Sequence, residues 1–259
     1  MNRFRIALKY ILHFLTASNT HGFGVHSPFV YHFTEFVFNK KSTYYIFSSI
    51  EIIRSLLEKD KRVLDITDYG AGEKQKKTIA EIAAKSVKST KYGQLLYRLS
   101  DYIKSRNTLE LGTSVGLTTA YLAASSSAIR CVSLEGCQQV AGIAIRNFEE
   151  LNIKNVQIVE GNIDLTLPKV LNEINQLDLI FIDANHTSVA VLNYFEQCLA
   201  KVHNDSVLVL DDIYWSADME KAWKKIKEHP RVKTTIDLFE LGIVFFNSDL
   251  HKKHYKMRF

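Results

Sequence analysis
The stretch Thr108-Leu109-Glu110-Leu111-Gly112-Thr113-Ser114-Val115-Gly116 decides how the rest of the chain is read. A short apolar run ends in an acid and a glycine, and a second glycine four positions later opens the helix-like run 117–124. Strand, glycine turn and helix in this order present backbone N–H groups and a helix N-terminus at the carboxyl edge of a sheet. The spacing is G-x-x-x-G, so the dinucleotide fingerprint G-x-G-x-x-G is absent and a nicotinamide reaction loses its main support. Glu110 is unusual for a buried strand, because an ionised carboxylate there needs a partner.

Downstream, apolar runs at 108–112, 130–135, 156–160, 177–183 and 207–211 alternate with helical patterns at 117–124, 138–151, 166–175 and 187–200. This alternation predicts a parallel sheet covered on both faces. The segments 233–239 and 241–247 read as an antiparallel pair closing one edge. The fold expected is α/β, a Rossmann-like, doubly wound, mostly parallel seven-stranded sheet with an antiparallel edge strand, plus an N-terminal helical extension. Residues 1–100 are read as a helical cap and 101–259 as the α/β domain. Within the cap, 1–17 forms an amphipathic helix, Ser27-Pro28 caps the next, and the stretch from Asp65 to Lys77 breaks the helical periodicity as a loop.

The chain has 259 residues and a net charge of +5, with much of the excess at its ends: Arg3, Arg5 and Lys9, then Lys252, Lys253, Lys256 and Arg258. Basic ends read as solvated tails, and nucleic acid is disfavoured. Cys131, Cys137 and Cys198 form no C-x-x-C pair, and Cys131 in a strand and Cys198 in a helix read as buried thiols, which fits a reducing cytoplasm. No run approaches the roughly 20 apolar residues of a spanning helix. The helix at 1–17 is open to docking on the core, on a second subunit or on an anionic membrane surface, with docking on protein the expectation. A homodimer is compatible with these features.

Ligands bind outside the carboxyl ends of such strands, and acids stand at or near those ends. Glu135 ends the second strand, where a carboxylate can accept from both ribose hydroxyls. Asp164 follows the third, Asp183 the fourth, and Asp211 and Asp212 the fifth. Each alone is also a plain cap or turn residue. Together, like charges at one edge raise one another's pKa unless a cation is present, which points to a nucleoside-containing, positively charged ligand.

The run from Leu109 to Gly116, with Glu135, Ile182-Asp183 and Asp211-Asp212, resembles the class I S-adenosylmethionine-dependent methyltransferases. More narrowly it is similar to the small-molecule O-methyltransferases of the catechol and caffeoyl-CoA group. The similarity runs from about Tyr92 to Phe246. Phe23-Gly24-Val25-His26-Ser27-Pro28-Phe29 resembles an extension of some bacterial methyltransferases.

The resemblance implies that S-adenosylmethionine is held by Gly112, Thr113, Ser114 and Gly116, with Glu110 near its ammonium. It puts Glu135 on the ribose, Ile163 and Asp164 by the adenine, and Asp183 close to the sulfonium. It also implies Mg²⁺ or another divalent cation on Asp183, Asp211 and Asp212, although an Asn is expected where Asp212 stands. A lysine is expected where His186 stands; imidazole can accept a proton near neutral pH, so His186 is the candidate general base, with Asp183 beside it. A helix-capping role for His186 is the alternative. Trp215 is read as lining an acceptor pocket or packing beneath it. The function expected is methyl transfer to a small-molecule hydroxyl. The alternatives are a non-catalytic Rossmann-like binding protein, or a methyltransferase acting on RNA or protein.

Overall fold
A computed structural model of the chain describes residues 3–22, 24–39, 42–68, 73–85 and 88–259. They divide into two compact units, one made of residues 1–40 and 174–259, the other of 41–173.

In the continuous unit, α3 (Tyr45–Leu57), α4 (Ile79–Lys85) and α5 (Thr90–Tyr102) precede three parallel strands. These are β3 (Asn107–Leu111), β4 (Arg130–Glu135) and β5 (Val156–Glu160), ordered β3-β4-β5. The crossovers are α6 (Leu117–Ala123) and α7 (Gln138–Glu150), and α8 (Ile163–Glu173) follows β5. Apolar residues on these helices and strands form a core around Phe47, Tyr97, Tyr121 and Phe148. The stretch expected as a loop is instead an antiparallel hairpin, β1 (Val63–Asp68) and β2 (Glu73–Thr78); Tyr69-Gly70-Ala71-Gly72 lie outside the described residues. The first hundred residues are therefore not all helical. Leu64 and Ile66 alternate inward onto the core, while β2, Glu-Lys-Gln-Lys-Lys-Thr, has no apolar residue to betray a strand.

The discontinuous unit contains β6 (Leu177–Ile182), α9 (Ser188–Leu199), β7 (Val202–Asp211), α10 (Ala217–Glu228), β8 (Thr234–Asp237), β9 (Leu241–Phe245) and β10 (Lys253–Lys256). Its strands are ordered β10-β8-β9-β7-β6. β6 and β7 are parallel, β9 runs antiparallel to both β7 and β8, and β10 is parallel to β8. The main sheet thus has eight strands rather than seven. The additional strand is the basic end read as a solvated tail: Tyr255 and Met257 are buried while Lys253 and His254 face solvent.

The same unit holds α1 (Arg3–Thr16) and α2 (Pro28–Phe33), which Ser27 caps through a hydrogen bond from the Val30 N–H. α1 docks on protein, but by its polar face. Arg5 and Lys9 pair with Glu220, and His13, buried, lies 3.0 Å from Asp237 Oδ1. The other Asp237 oxygen accepts from the Tyr214 hydroxyl at 2.6 Å. Burial pushes the Asp237 carboxyl up, but hydrogen bonds from His13, Tyr214 and the Phe239 N–H outweigh it and hold the group below its usual value. No helix among the described residues is long and apolar enough to cross a membrane.

Candidate active site
The turn after β3 is built by the backbone. Gly112 and Thr113 both donate to the Leu134 carbonyl, and the Gly116 N–H closes the turn on Thr113 O at 3.0 Å. Gly112, Ser114 and Gly116 have φ of 100°, 50° and 82°, values that glycine adopts without cost and a serine rarely does. Gly116 is required twice over. A Cβ there would come within 2.8 Å of the Phe148 ring and 2.9 Å of the Ala144 Cβ, so a glycine is also needed for α6 to close on α7.

Glu135 is tied to this turn. Its Oε2 accepts the Ser114 N–H at 2.8 Å and its Oε1 the Cys137 N–H at 2.9 Å. Its backbone carbonyl takes the Gly161 N–H at 2.9 Å, which draws in the loop leading to Ile163 and Asp164. Ile163 is buried and Asp164 exposed at the start of α8, where Asn162 Oδ1 accepts the Asp164 N–H. Gly112, Thr113, Ser114, Gly116, Glu135, Ile163 and Asp164 are thus brought together at the carboxyl ends of β3, β4 and β5.

Glu110 lies beneath, fully buried. Its Oε2 accepts from Ser133 Oγ at 2.5 Å and from the Thr119 hydroxyl, and Ser133 also bonds Thr113 Oγ1. Burial pushes the carboxyl up to about 8; the Ser133 and Thr119 hydrogen bonds oppose that, and Glu135 adds the smallest contribution. The expected mutual repulsion of acids is therefore secondary to desolvation here. Glu110 Oε1 and Ser114 Oγ are buried without a hydrogen-bond partner among the described residues. Such groups are uncommon in folded proteins and suit a ligand that brings its own donors.

The remaining candidates lie in the discontinuous unit, where β6 and β7 pair Ile182 with Leu210. Asp183 follows β6, and Asp211 and Asp212 sit at the end of β7. After Asp183, Asn185 and His186 both take left-handed backbone, φ 61° and 33°, which folds the imidazole back so that Nε2 is 3.6 Å from Asp183 Oδ1. The His186 and Trp215 ring centroids are 6.5 Å apart. Helix capping at α9 is done by the Thr187 side chain instead. Among the described residues no group of three His, Cys, Asp or Glu is placed to hold a metal ion. Asp183, Asp211 and Asp212 are not placed as such a group.

Trp215 also lines a cavity of about 460 Å³, with Ile6, Ala7 and Tyr10 of α1, Asp212, Tyr214, Phe239 and Glu240. Which face of α1 docks is not fixed by the apolar pattern. The signal was present in Arg5, Lys9 and His13, one residue per turn on the face that docks.

Residues 109–213 match a family described as a methyltransferase domain. Over 128 residues, 48% of this chain, it is 30% identical to a catechol O-methyltransferase of Niastella koreensis, and over 127 residues 29% identical to one of Mycobacterium tuberculosis. The chain spans 57% and 56% of the length of these relatives. The fold is shared with a solved O-methyltransferase from Bacillus cereus in complex with SAH, at a TM-score of 0.57 and 22% identity, covering 83% of this chain and 96% of that one. The O-methyltransferase TomG from Streptomyces achromogenes, solved with SAM, superposes at 0.55 with 19% identity over 62% of this chain and 82% of its own. Residues 109–213 are thus similar to a methyltransferase domain, and the solved structures share the α/β fold.

Proposed function
We propose that the chain transfers a methyl group from S-adenosylmethionine to a hydroxyl oxygen of a small molecule. The observation that carries this reading is the buried, half-satisfied Glu110 carboxyl beneath a glycine turn anchored by Glu135. Residues 110–116, Glu135, Ile163 and Asp164 would hold S-adenosylmethionine, which supplies an electrophilic methyl group when bound. The aromatic cavity at Tyr10, Tyr214 and Trp215 would take the acceptor. Its link to the chemistry is Trp215, which lines the cavity and neighbours His186. His186 accepts the proton of the acceptor hydroxyl, and Asp183 faces the resulting imidazolium as its counter-charge. Alignment of the two reactants supplies most of the rate.

Calorimetric titration with S-adenosylhomocysteine tests the first half of this reading. Glu110, with its pKa near 8, is mostly protonated at pH 7. A bound ammonium nearby would favour the carboxylate, so binding between pH 6 and 8 should release a fraction of a proton, read from the heat in buffers of different ionisation enthalpy. Glu110→Gln should abolish the release. Failure of the wild type to bind at all would end the assignment.

The second half is tested by turnover. His186→Ala should lower kcat by about 10²-fold or more, the usual contribution of a general base, while leaving S-adenosylhomocysteine affinity unchanged. An unchanged kcat would return His186 to a structural role.

A further inference from the structure
The polar face of α1 is spent on Glu220 and Asp237, and the consequence is an inverted amphipathic helix. Phe4, Leu8, Ile11, Leu12 and Leu15, which recur at helical spacing, are each between 55% and 77% exposed. They form one continuous stripe, because residues three and four apart stack on the same side of a helix. The C-terminal segment brings cations to the end of this helix. Arg258 lies 3.9 Å over the Phe14 ring and donates to the Phe14 carbonyl, and Lys256 donates to Thr16 Oγ1. Lys253 is exposed on β10.

From this stripe and its basic end we infer that α1 lies flat on an anionic lipid surface, with Phe4, Leu8, Ile11, Leu12 and Leu15 in the headgroup–acyl boundary and Lys256 and Arg258 at lipid phosphates. Apolar burial joined to attraction for anionic lipids is the usual basis of such interfacial helices. A second copy of the chain is the poorer occupant. One face of a 14-residue helix is about 21 Å long and about 10 Å wide, and offers less than the roughly 800 Å² per partner of a stable interface. It also leaves the flanking cations without a counterpart. A bilayer needs no complementary protein shape and supplies the charge. The acceptor cavity is walled by Ile6, Ala7 and Tyr10 of the same helix, so a lipid-bound α1 sets that cavity beside the membrane.

The test is flotation of the full-length protein with vesicles of equal parts phosphatidylcholine and phosphatidylglycerol, against phosphatidylcholine alone. Flotation with the anionic vesicles, reduced about tenfold without phosphatidylglycerol or at high salt, is expected. Leu8→Glu with Leu15→Glu should abolish it, and Lys256→Glu with Arg258→Glu should weaken it. Each variant is checked for S-adenosylhomocysteine binding, which does not depend on this surface. Flotation that survives the Leu8→Glu, Leu15→Glu pair overturns the inference. So does absence of flotation, whether the protein sediments as a monomer or as a dimer that the same pair dissociates. The methyltransferase reading stands or falls separately, on the titration.

Discussion

Glu135→Ala is expected to weaken S-adenosylhomocysteine binding by about 10²-fold. Two ribose hydroxyls bonded to a carboxylate contribute about 1.5 kcal/mol each, and about 3 kcal/mol corresponds to two decades of affinity. The carboxylate also accepts the Ser114 and Cys137 N–H groups, so its removal frees the glycine turn and adds an ordering cost to binding. Glu135→Gln retains two acceptor lone pairs but points an NH₂ at one of those amides, and should fall between alanine and wild type. Calorimetry at fixed pH reads both. An alanine variant that stays folded and binds as tightly as wild type would remove Glu135 from the cofactor site.

The largest effect on stability is expected at Asp237. The side chain is buried, within hydrogen-bond distance of His13 and Tyr214, and accepts the Phe239 N–H. Asp237→Ala leaves His13 and the Tyr214 hydroxyl facing a void, and breaking a buried pair by deleting one partner costs about 3–5 kcal/mol. A chain of this size should then lose roughly 10 °C in Tm. The sign of the pH dependence follows from the direction of the shift. The folded-state pKa of Asp237 is depressed, so its contribution is present above the unfolded value of about 3.9 and is lost as pH falls through the folded value. Asp237→Asn should therefore blunt acid unfolding below about pH 4. Glu110 acts in the opposite direction. Its folded pKa is raised, so its contribution is full below about pH 4.3, the unfolded value, and fades as pH rises towards 8. Thermal melts across this range, on wild type, Asp237→Asn and Glu110→Gln, separate the contributions.

The glycine turn and the acids around it were legible in the sequence because the parts are local. A glycine turn, the acid one residue before it and the acid ending the next strand are fixed by strand–turn–helix geometry, and β3 pairs with β4 in the register that brings Glu110 opposite Ser133. What the chain concealed is where a pattern has two solutions. The stripe Phe4, Leu8, Ile11, Leu12 and Leu15 has helical spacing whichever way the helix faces, and Glu220 and Asp237, over two hundred positions away, pair with the basic face and turn it inward. β10 is hidden for a related reason. Lys253-His254-Tyr255-Lys256 buries one side chain, so its strand character lies in backbone pairing with β8 rather than in alternation. The carboxylates after β6 and β7 were grouped from their positions at strand ends. Their arrangement depends on the left-handed residues Asn185, His186 and Asp212, which no periodicity announces.

The discontinuity of one unit bears on how the chain is made. Residues 41–173 are contiguous and can begin to organise as soon as they leave the ribosome. α1, synthesised before them, finds its partners Glu220 and Asp237 only after two hundred further residues have emerged. Until then those partners are absent, and the contacts α1 makes with them are among the most non-local in the chain. A greasy helix kept waiting over two hundred residues of synthesis is where a nascent-chain chaperone, or a nearby bilayer, would first take hold.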